Sequence, residues 1–258
     1  MSRLAEAQPQ SVSQLTLQYR MNEDICQLSN DIVYAGKLKC ANDTVRVQRL
    51  SAPQYPENVP DASPIAPKDW LAEVISPESP VCFVDTDRPC RNDPTKNIES
   101  LERKSARRGP MGDGSACGSI VNDVEADLVK EVIEGILACG VSPNNVGIIC
   151  PFRAQVRLLN DKPSLKHAQT QGLEVSTIDK YQGRDKQVIV VSFVRSNVKG
   201  RVGRLLEDFR RLNVAVTRAK SKLILIGSFS TLHTGSEKLR PALDSLQRKN
   251  CIIPMIIR

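Results

Sequence analysis

The segment NVAVTRAKSKLILIG, residues 213 to 227, places basic side chains directly before an apolar run that is typical of a buried strand. Arg218 and Lys220 stand at this junction. A guanidinium group is costly to fix near a core unless it meets an anion. The segment therefore raises the question of which anion Arg218 meets and whether the rest of the chain completes such a site.

Further basic residues cluster around this segment. Nine Lys or Arg lie from Arg195 to Lys222, against two acidic residues, Glu207 and Asp208. The whole 258-residue chain carries 36 basic and 29 acidic residues, a net charge of +7, which weakly favours a polyanionic partner. On charge alone, a solvated basic face explains the cluster more simply than a binding site does.

The elements that would position these residues alternate between strands and helices. Strands that are apolar throughout, separated by helices, indicate an α/β fold with a mainly parallel sheet covered by helices on both faces. The predicted strands are 81–86, 146–150, 173–178, 187–194 and 222–227, and the predicted helices are 22–36, 122–140, 152–160, 206–219 and 237–249.

The remaining segments show less regular patterns. Residues 1–14 are a polar lead-in, 15–250 form the expected domain, and 251–258 are an expected C-terminal tail. Seven prolines between 53 and 80 predict a loop region, and the charged, then glycine-rich stretch 88–119 predicts a disordered insertion. The sequence contains no apolar run long enough for a membrane span and no apolar leader, which indicates an intracellular protein.

Cysteine usage points to the same setting. The eight cysteines form no C-x-x-C pair, and the chain contains two histidines. Reduced thiols are therefore expected rather than disulfides, and no metal site is expected.

Polar residues follow several of the predicted strands. VGIIC is followed by PFRAQ, VSTI by DKYQGRD, and QVIVVSFV by RSN, while the basic helix carries VTRAK into KLILIG. In parallel sheets, ligands bind beyond the carboxyl ends of the strands. We therefore expect these groups to meet at one edge of one sheet and to form a phosphate or nucleic-acid surface, although any one of them alone could be an ordinary polar loop.

The order of motifs resembles the second motor domain of superfamily 1B helicases, in particular that of the replication helicase/nucleases. The resemblance rests on LTLQYRM, SIVNDVEA, VGIICPFRAQ, VSTIDKYQGRDKQVIVVSFVRSN and RRLNVAVTRAKSKLILIG, in this order. It covers the chain from about residue 15 to 226, apart from the proline-rich stretch and 88–119. It implies a RecA-like domain of the P-loop NTPase type.

The resemblance implies an ATP site. Arg218, in VTRAK, corresponds to the family's arginine finger, and Arg20, in QYRM, to a second contact with the γ-phosphate. Gln182, Gly183 and Asp185 occupy the family's Q-G-x-E element, which touches the nucleotide or couples it to nucleic acid. The acidic residue is aspartate here, with a shorter reach than glutamate. A structural salt bridge for Arg218 and an exposed helix-start arginine at position 20 are the alternatives.

The resemblance also implies contacts with a nucleic-acid strand. Thr177, Arg195 and Asn197 correspond to positions that hold the phosphates of the strand, and Phe152 and Gln155, in PFRAQ, to positions that contact the strand itself. Stacking and phosphate contacts together bind single strands without reading their sequence. An aromatic residue at a helix start is as readily part of the core, so both interpretations of position 152 stay open.

The N-x-x-E-A element of the family corresponds to Asn122 and Glu125. A helix cap with an acidic residue in the first turn explains these two residues almost as well as a functional role does. Both interpretations stay open.

One half of the family's ATP site has no match. The sequence contains no G-x-x-x-x-G-K-[ST] motif, since its Gly36-Lys37 pair is followed by Leu38, and no apolar strand that ends in Asp-Glu. ATP and Mg²⁺ would therefore be held mainly by a first motor domain outside this chain. The family's nuclease region is also absent. We expect a fragment, an isoform or a truncated gene product, with negligible ATP hydrolysis by the chain alone.

The resemblance implies single-stranded or flapped DNA and the first motor domain as partners, no membrane, and a nuclear setting, with a mitochondrial one left open. Two other functions remain. One is an RNA helicase of the same superfamily, since the motifs are shared between DNA and RNA enzymes. The other is a non-catalytic module whose binding to nucleic acid would depend on salt and not on ATP.

Overall fold

A six-stranded sheet organises the part of the chain that the computed structural model describes, residues 15–57, 59–60, 70–87, 100–105 and 120–255. The strands lie in the order β10-β3-β9-β8-β6-β7, and each neighbouring pair is parallel. In chain order, the strands of the described residues are β1 (Leu17–Gln18), β2 (Lys39–Cys40), β3 (Val81–Asp85), β4 (Glu102–Lys104), β5 (Ile120–Asn122), β6 (Val146–Cys150), β7 (Glu174–Thr177), β8 (Lys186–Ser192), β9 (Ala219–Gly227) and β10 (Ile252–Pro254).

Helices cover both faces of this sheet. In chain order they are α1 (Glu23–Ser29), α2 (Asp43–Arg46), α3 (Trp70–Ile75), α4 (Asp123–Ala138), α5 (Arg153–Asn160), α6 (Pro163–Thr170), α7 (Arg204–Glu207), α8 (Phe209–Val216), α9 (Phe229–Gly235) and α10 (Arg240–Arg248). A π-helical turn, Asn30–Tyr34, extends α1, and short 3₁₀ turns form at Pro143–Asn145 and Asp179–Tyr181.

The strands are apolar throughout because each face of the sheet has its own core. Along β8, Val188 and Val190 pack with α3, α4, α5 and α6 on one face. The alternate residues, Ile189 and Val191, pack with α1, α8, α9 and α10 on the other. Successive side chains of a strand point to opposite faces, so a sheet buried on both sides needs an unbroken apolar run. The predicted α/β class, with a parallel sheet flanked by helices, is confirmed.

The structure differs from the predicted organisation in three places. Residues 252–254, expected to be a tail, form β10, which pairs with β3, so the domain extends beyond the predicted boundary at 250. Residues 70–75, within the predicted proline-rich loop region, form α3. Residues 102–104 belong to the expected disordered insertion and form β4, which pairs with β5. The lead-in 1–14 and the rest of the insertion, except 100, 101 and 105, lie outside the described residues.

Other expectations can be compared with the described ranges alone. No described helix is long and apolar enough to cross a membrane. Six cysteines within these ranges are free thiols: Cys26, Cys40, Cys82, Cys139, Cys150 and Cys251. Within the same ranges, no three His, Cys, Asp or Glu residues form a group that could hold a metal ion.

The connection from β7 to β8 crosses the sheet over β6, and a glycine makes room for it. A Cβ atom added to Gly147 would lie 1.9 Å from Tyr181 Oη, 2.8 Å from Tyr181 Cζ and 2.9 Å from Ile189 Cδ1. Tyr181 is fully buried and ends the 3₁₀ turn that leads into residues 182–185. The absence of a side chain at Gly147 therefore sets the path of the Y-Q-G-R-D segment.

Substitution of this glycine should destabilise the domain. We expect Gly147→Ala to lower the free energy of unfolding by about 3 kcal/mol, at the upper end of ordinary overpacking, because the clash lies between a strand and a buried ring. Urea denaturation of the variant and the wild type measures the difference. Adding Tyr181→Phe removes the atom nearest the new methyl group and should restore part of the loss. Equal stabilities of Gly147→Ala and the wild type would contradict this account of the crossing.

Candidate phosphate-binding site

The residues predicted for the site lie at two opposite edges of the sheet, not at one. Asp185 precedes β8 and Arg218 precedes β9, so both lie at the amino edge, where the Lys186 amide donates to the Arg218 carbonyl at 3.0 Å. Thr177 ends β7 and Arg195 follows β8, so both lie at the carboxyl edge. The expectation of a single edge is wrong because the segment after β7 crosses the sheet before β8 begins.

A tight turn before α1 positions Arg20 at the amino edge. The side-chain oxygen of Gln18 accepts hydrogen bonds from the amides of Arg20, at 2.8 Å, and Met21, at 2.7 Å. The side chain of Asn22, the first residue of the predicted helix 22–36, caps α1 by accepting from the Ile25 backbone amide. The backbone amide of Asn22 donates to the Lys220 carbonyl at 2.9 Å, which fixes the turn against the start of β9.

The end of α8 positions Arg218. Its Nε donates to the Val214 carbonyl at 3.1 Å, and its Nη1 donates to the Arg184 carbonyl at 3.4 Å. Both bonds hold the guanidinium group beside the segment that carries Asp185. Burial and the nearby charge of Arg20 lower the pKa of Arg218. Two guanidinium groups therefore lie close together at the start of β9.

One carboxylate, that of Asp185, contacts two basic side chains at this edge. Asp185 Oδ2 accepts from Arg20 Nε at 3.1 Å, across 165 residues of sequence, and lies 3.4 Å from Lys220 Nζ. Arg20 also donates from Nη1 to the Thr217 carbonyl at 3.1 Å. Two basic side chains thus pair with one acidic side chain, and Arg218 adds a third positive charge nearby, so the site has an excess of positive charge and suits an anion.

The ion pair between Arg20 and Asp185 is too exposed to hold the arginine firmly. Their side chains are 38% and 36% exposed. Ion pairs in such positions contribute about 0–1 kcal/mol, because water screens the charges and ordering the side chains costs entropy. A phosphate with several negative oxygens would compete easily with this single carboxylate. The ion pair therefore positions the Arg20 side chain and still leaves its guanidinium group able to bind another anion.

The two remaining predicted ATP-site residues, Gln182 and Gly183, are exposed in the same segment. Gly183 has a φ of +82° and no atom within 4 Å of an added Cβ. The glycine is therefore required by the backbone conformation of the turn rather than by a close neighbour. Their contact with a nucleotide stays a prediction.

At the carboxyl edge, two predicted strand contacts are buried. Phe152 is 1% exposed and lies in the core, and Gln155 is 0% exposed. The amide of Gln155 accepts from the Asn122 amide nitrogen at 2.9 Å and donates to the Asn122 carbonyl at 2.9 Å, which joins α5 to β5. The predicted contacts of Phe152 and Gln155 with a nucleic-acid strand are wrong, because neither side chain reaches the surface.

Arg195 and Asn197 are engaged within the protein. Arg195 Nε donates to Glu102 Oε2 at 2.8 Å in an ion pair whose side chains are 10% and 15% exposed. Asn197 donates to Glu102 at 3.1 Å and to the Arg201 carbonyl at 2.8 Å. These bonds brace the loop after β8 and leave little of the Arg195 side chain for a phosphate. Thr177 is partly exposed at the end of β7, and its contact with a strand stays a prediction.

The N-x-x-E-A element holds this loop in a strained conformation. Asn122 caps α4 by accepting from the Glu125 amide at 3.1 Å, as one of the two predicted interpretations has it. The carboxylate of Glu125, which is fully buried, accepts from Ser192 Oγ at 2.7 Å and from the Val194 amide at 2.8 Å. Val194 has a φ of +72°, which costs a β-branched residue on the order of 1–3 kcal/mol. The buried network offsets this cost and directs the chain toward Arg195.

Glu125 should make stability depend on pH. Burial raises the pKa of Glu125 to about 8, from an ordinary value of 4.5. Between these values the folded protein holds a proton that the unfolded chain has lost, so stability falls as pH rises. We expect a loss on the order of 1 kcal/mol per pH unit between pH 6.5 and 8 and a flatter profile for Glu125→Gln.

Chemical denaturation at a series of pH values measures this effect. This pH range lies above the titration of Asp85, a partly buried carboxyl whose pKa is raised to about 6 by desolvation. Parallel stability profiles for Glu125→Gln and the wild type between pH 6.5 and 8 would contradict the prediction.

Sequence reasoning missed the residues that support the site through hydrogen bonds. Gln18, which accepts from the backbone amide of Arg20, lies within the QYRM motif, but the motif did not indicate this role. Gln48 donates to the Arg20 carbonyl from a segment without any motif. Glu102, the partner of Arg195, lies in the segment that was expected to be disordered. Hydrogen bonds between distant segments leave no signal in local spacing.

The residues of the amino edge fit a phosphate better than a metal ion. Arg20, Arg218 and Lys220 supply N–H donors with positive charge, the chemistry that binds a terminal phosphate. Asp185 is the acidic side chain of this site, and its Oδ2 is already in contact with Arg20 and Lys220. Mg²⁺ prefers several oxygen ligands in octahedral geometry, which one paired carboxylate does not provide.

The chain belongs to the family described as "AAA domain", which matches residues 1–230. With its parallel sheet covered by helices on both faces, it is therefore an α/β domain of the P-loop NTPase type, as in RecA-like domains. Within that class it is similar to the DNA replication ATP-dependent helicase/nuclease DNA2. The mouse (Mus musculus) protein is 42% identical over 234 residues, covering 88% of this chain and 20% of that protein. The resemblance predicted from the motifs is confirmed.

Two further relatives of the same name show a similar degree of identity. The human protein of the same name is 38% identical over 259 residues (95% of this chain, 22% of that protein), and the Saccharomyces cerevisiae protein is 39% identical over 256 residues (97% and 15%). This chain thus spans about a fifth of the length of the curated relatives it matches. The C-terminal domain of a possible DNA helicase from Lactobacillus plantarum WCFS1 is 12% identical, with a TM-score of 0.44, and covers 92% of this chain and 98% of that one.

Proposed function

We propose that this chain acts as the second motor domain of an ATP-dependent DNA helicase of the helicase/nuclease type. The observation that carries the proposal is that Arg20, which pairs with Asp185, also donates to the carbonyl of Thr217, the residue before Arg218, so both arginines lie at one edge of the sheet. The relatives named above are ATP-dependent helicase/nucleases by name, which supports ATP as the anion.

The proposed chemistry is hydrolysis of the terminal phosphate of ATP. Negative charge on the γ-phosphate oxygens must be neutralised as the phosphoryl group is transferred, and arginine N–H groups do this without gaining or losing a proton. Arg218 would contact the transferring phosphoryl group, and Arg20 would exchange its weak pairing with Asp185 for a second contact. Gln182 and Gly183 would lie beside the nucleotide.

A first motor domain outside this chain would bind ATP and Mg²⁺ from the other side. Its approach would bring Arg20 and Arg218 to the phosphate, so hydrolysis would depend on closure of the two domains. Opening and closing would move this domain along a single strand, with Thr177 at the carboxyl edge as one contact, and would unwind DNA ahead of it. We propose that this activity serves DNA replication and repair in the nucleus, and we propose the mitochondrion as a second location.

A reconstitution experiment tests this proposal. ATP hydrolysis is measured for the chain alone, for the first motor domain of a relative alone, and for their mixture, each with and without single-stranded DNA. We expect negligible turnover by the chain alone and DNA-stimulated turnover in the mixture. No increase in the mixture over its separate components, with both proteins folded, would refute the motor role. Firm strand binding in that case would favour a non-catalytic module.

A 2′-hydroxyl comparison tests the choice of DNA over RNA. Binding of the mixture to matched DNA and RNA strands of one sequence is measured, together with the turnover that each stimulates. We expect stronger stimulation by DNA. Stronger stimulation by RNA would assign the chain to an RNA helicase of the same superfamily.

A further inference from the structure

A basic surface lies at the carboxyl edge, away from Arg20 and Arg218. Its six members are exposed and come from two segments that meet in the fold: Lys199, Arg201, Arg204, Arg210, Lys238 and Arg240. None of the six forms an ion pair with the described residues, whereas basic side chains at the other edge do, as between Lys220 and Asp185.

Close packing joins the two segments. A Cβ added to Gly235, the last residue of α9, would lie 2.0 Å from the Gly200 carbonyl, and Ser236 Oγ donates to the Leu206 carbonyl at 3.4 Å. The loop before α7 thus lies against the end of α9. The amide of Asn197 closes this loop by bonding both the amide and the carbonyl of Arg201. The six cations are therefore carried by a fixed backbone rather than by mobile segments.

An aromatic ring organises the centre of the surface. Phe209 is partly buried at the start of α8, and the charged ends of Arg210 and Lys238 lie 5.6 Å and 5.9 Å from its centroid. Each cation is attracted to the face of the ring, and this attraction offsets part of the repulsion between the two cations. These two cations therefore have no carboxylate partner among the described residues.

The charge balance of the surface favours a polyanion. Two exposed carboxylates, Glu207 and Glu237, lie in the same segments as the six cations. A third, Asp208, accepts from the Arg210 amide at 3.0 Å and lies 3.8 Å from Arg211, so it is already occupied. A solvated basic face of ordinary composition would intersperse both signs and pair them across neighbouring turns.

We propose that this surface binds the phosphate backbone of a nucleic-acid strand. This inference rests on the proposed function and deepens it. Four of the six cations are arginines, which bind phosphate through two parallel N–H donors, and phosphates repeat regularly along a strand. The surface shares the carboxyl edge of the sheet with Thr177. Arg218 lies just beyond the opposite end of α8, an eight-residue helix about 12 Å long. Strand and nucleotide would thus bind at opposite ends of one helix.

The test compares matched pairs of neutral substitutions. The surface variant is Arg204→Gln with Lys238→Gln. The control is Arg157→Gln with Lys166→Gln, on α5 and α6, which cover the other face of the sheet. Fluorescence anisotropy of a labelled single-stranded oligonucleotide is measured from 50 to 300 mM NaCl, after thermal unfolding has verified that the variants are folded. Each phosphate contact contributes about 0.7 to the salt slope of a single strand, or about 5-fold in affinity at 0.1 M salt.

We expect the surface variant to bind about 25-fold more weakly than the wild type at 0.1 M salt, with a slope smaller by about 1.4. The control should bind as the wild type does. Equal losses in both variants, or no loss in either, would overturn the inference. Tighter binding of the wild type to polyglutamate than to the oligonucleotide would overturn it in favour of an acidic protein partner.

The same variants separate this inference from the proposed function. If the reconstituted mixture fails to hydrolyse ATP while the surface variant still loses strand binding, the proposed motor role is refuted and strand binding by the basic surface is supported. If ATP hydrolysis is reconstituted and the surface variant binds the strand normally, strand binding by the basic surface is refuted and the motor role is supported.

Discussion

Arg218→Ala should lower ATP turnover in the reconstituted mixture by about 10³-fold or more, the range in which arginine fingers act. The Michaelis constant for ATP should change little, because the charge that Arg218 neutralises develops in the transition state rather than in bound ATP. Arg218→Lys should recover little activity, since an ammonium group lacks the planar set of donors and the two bonds that align the guanidinium group. Steady-state kinetics with single-stranded DNA present measures both constants.

Lys220→Ala is the matched control for this prediction. Lys220 lies in the same cluster, 3.4 Å from Asp185 Oδ2, and removing it changes the local charge by the same amount. We expect a loss of about 10-fold or less, because a point charge beside an already paired carboxylate gives less directed stabilisation. Equal losses in the two variants would mean that net charge matters and that Arg218 has no specific position at the phosphate.

The sequence predicted the parallel sheet because its strands carry an unmistakable pattern. β6 was predicted with its observed bounds, and β8 to within two residues, since runs such as VGIIC and QVIVVSF fit only strands that are buried on both faces. β10 was missed because Ile252–Pro254 is a short edge strand, whose pairing with β3 depends on contacts that local pattern does not encode. Its neighbour α10 was found from helical periodicity, with bounds too wide at both ends.

The candidate site was predictable to the extent that motifs mark it. Arg20 and Arg218 were singled out from separate motifs, and the structure brings them together with Asp185. Motif position did not distinguish buried from exposed members, because a motif records residue types and not which way each side chain points. Phe152 and Gln155 belong to the same PFRAQ segment as exposed Arg153, and the first turn of α5 directs them inward.

Arg195 gives the second large expected effect, in stability rather than in strand binding. Arg195→Ala should lower the free energy of unfolding by about 3 kcal/mol, because it leaves the carboxylate of Glu102 nearly buried without its cation. Glu102→Gln should cost a similar amount by leaving Arg195 unpaired. Arg201→Ala, a nearby exposed arginine without an ion pair to the described residues, should change stability by about 0.5 kcal/mol or less.

The double variant separates the two roles that Arg195 could have. If Arg195 and Glu102 act as a structural pair, Arg195→Met with Glu102→Met should be more stable than either single variant, because two apolar side chains replace two buried charges. If Arg195 instead binds a phosphate of the strand, Arg195→Ala should weaken oligonucleotide binding several-fold and leave the midpoint of urea denaturation unchanged. The ion pair, 10% and 15% exposed at 2.8 Å, favours the structural role, because breaking it exposes little of either charge to water. A stable, weakly binding Arg195→Ala variant would restore the contact that the motif implied.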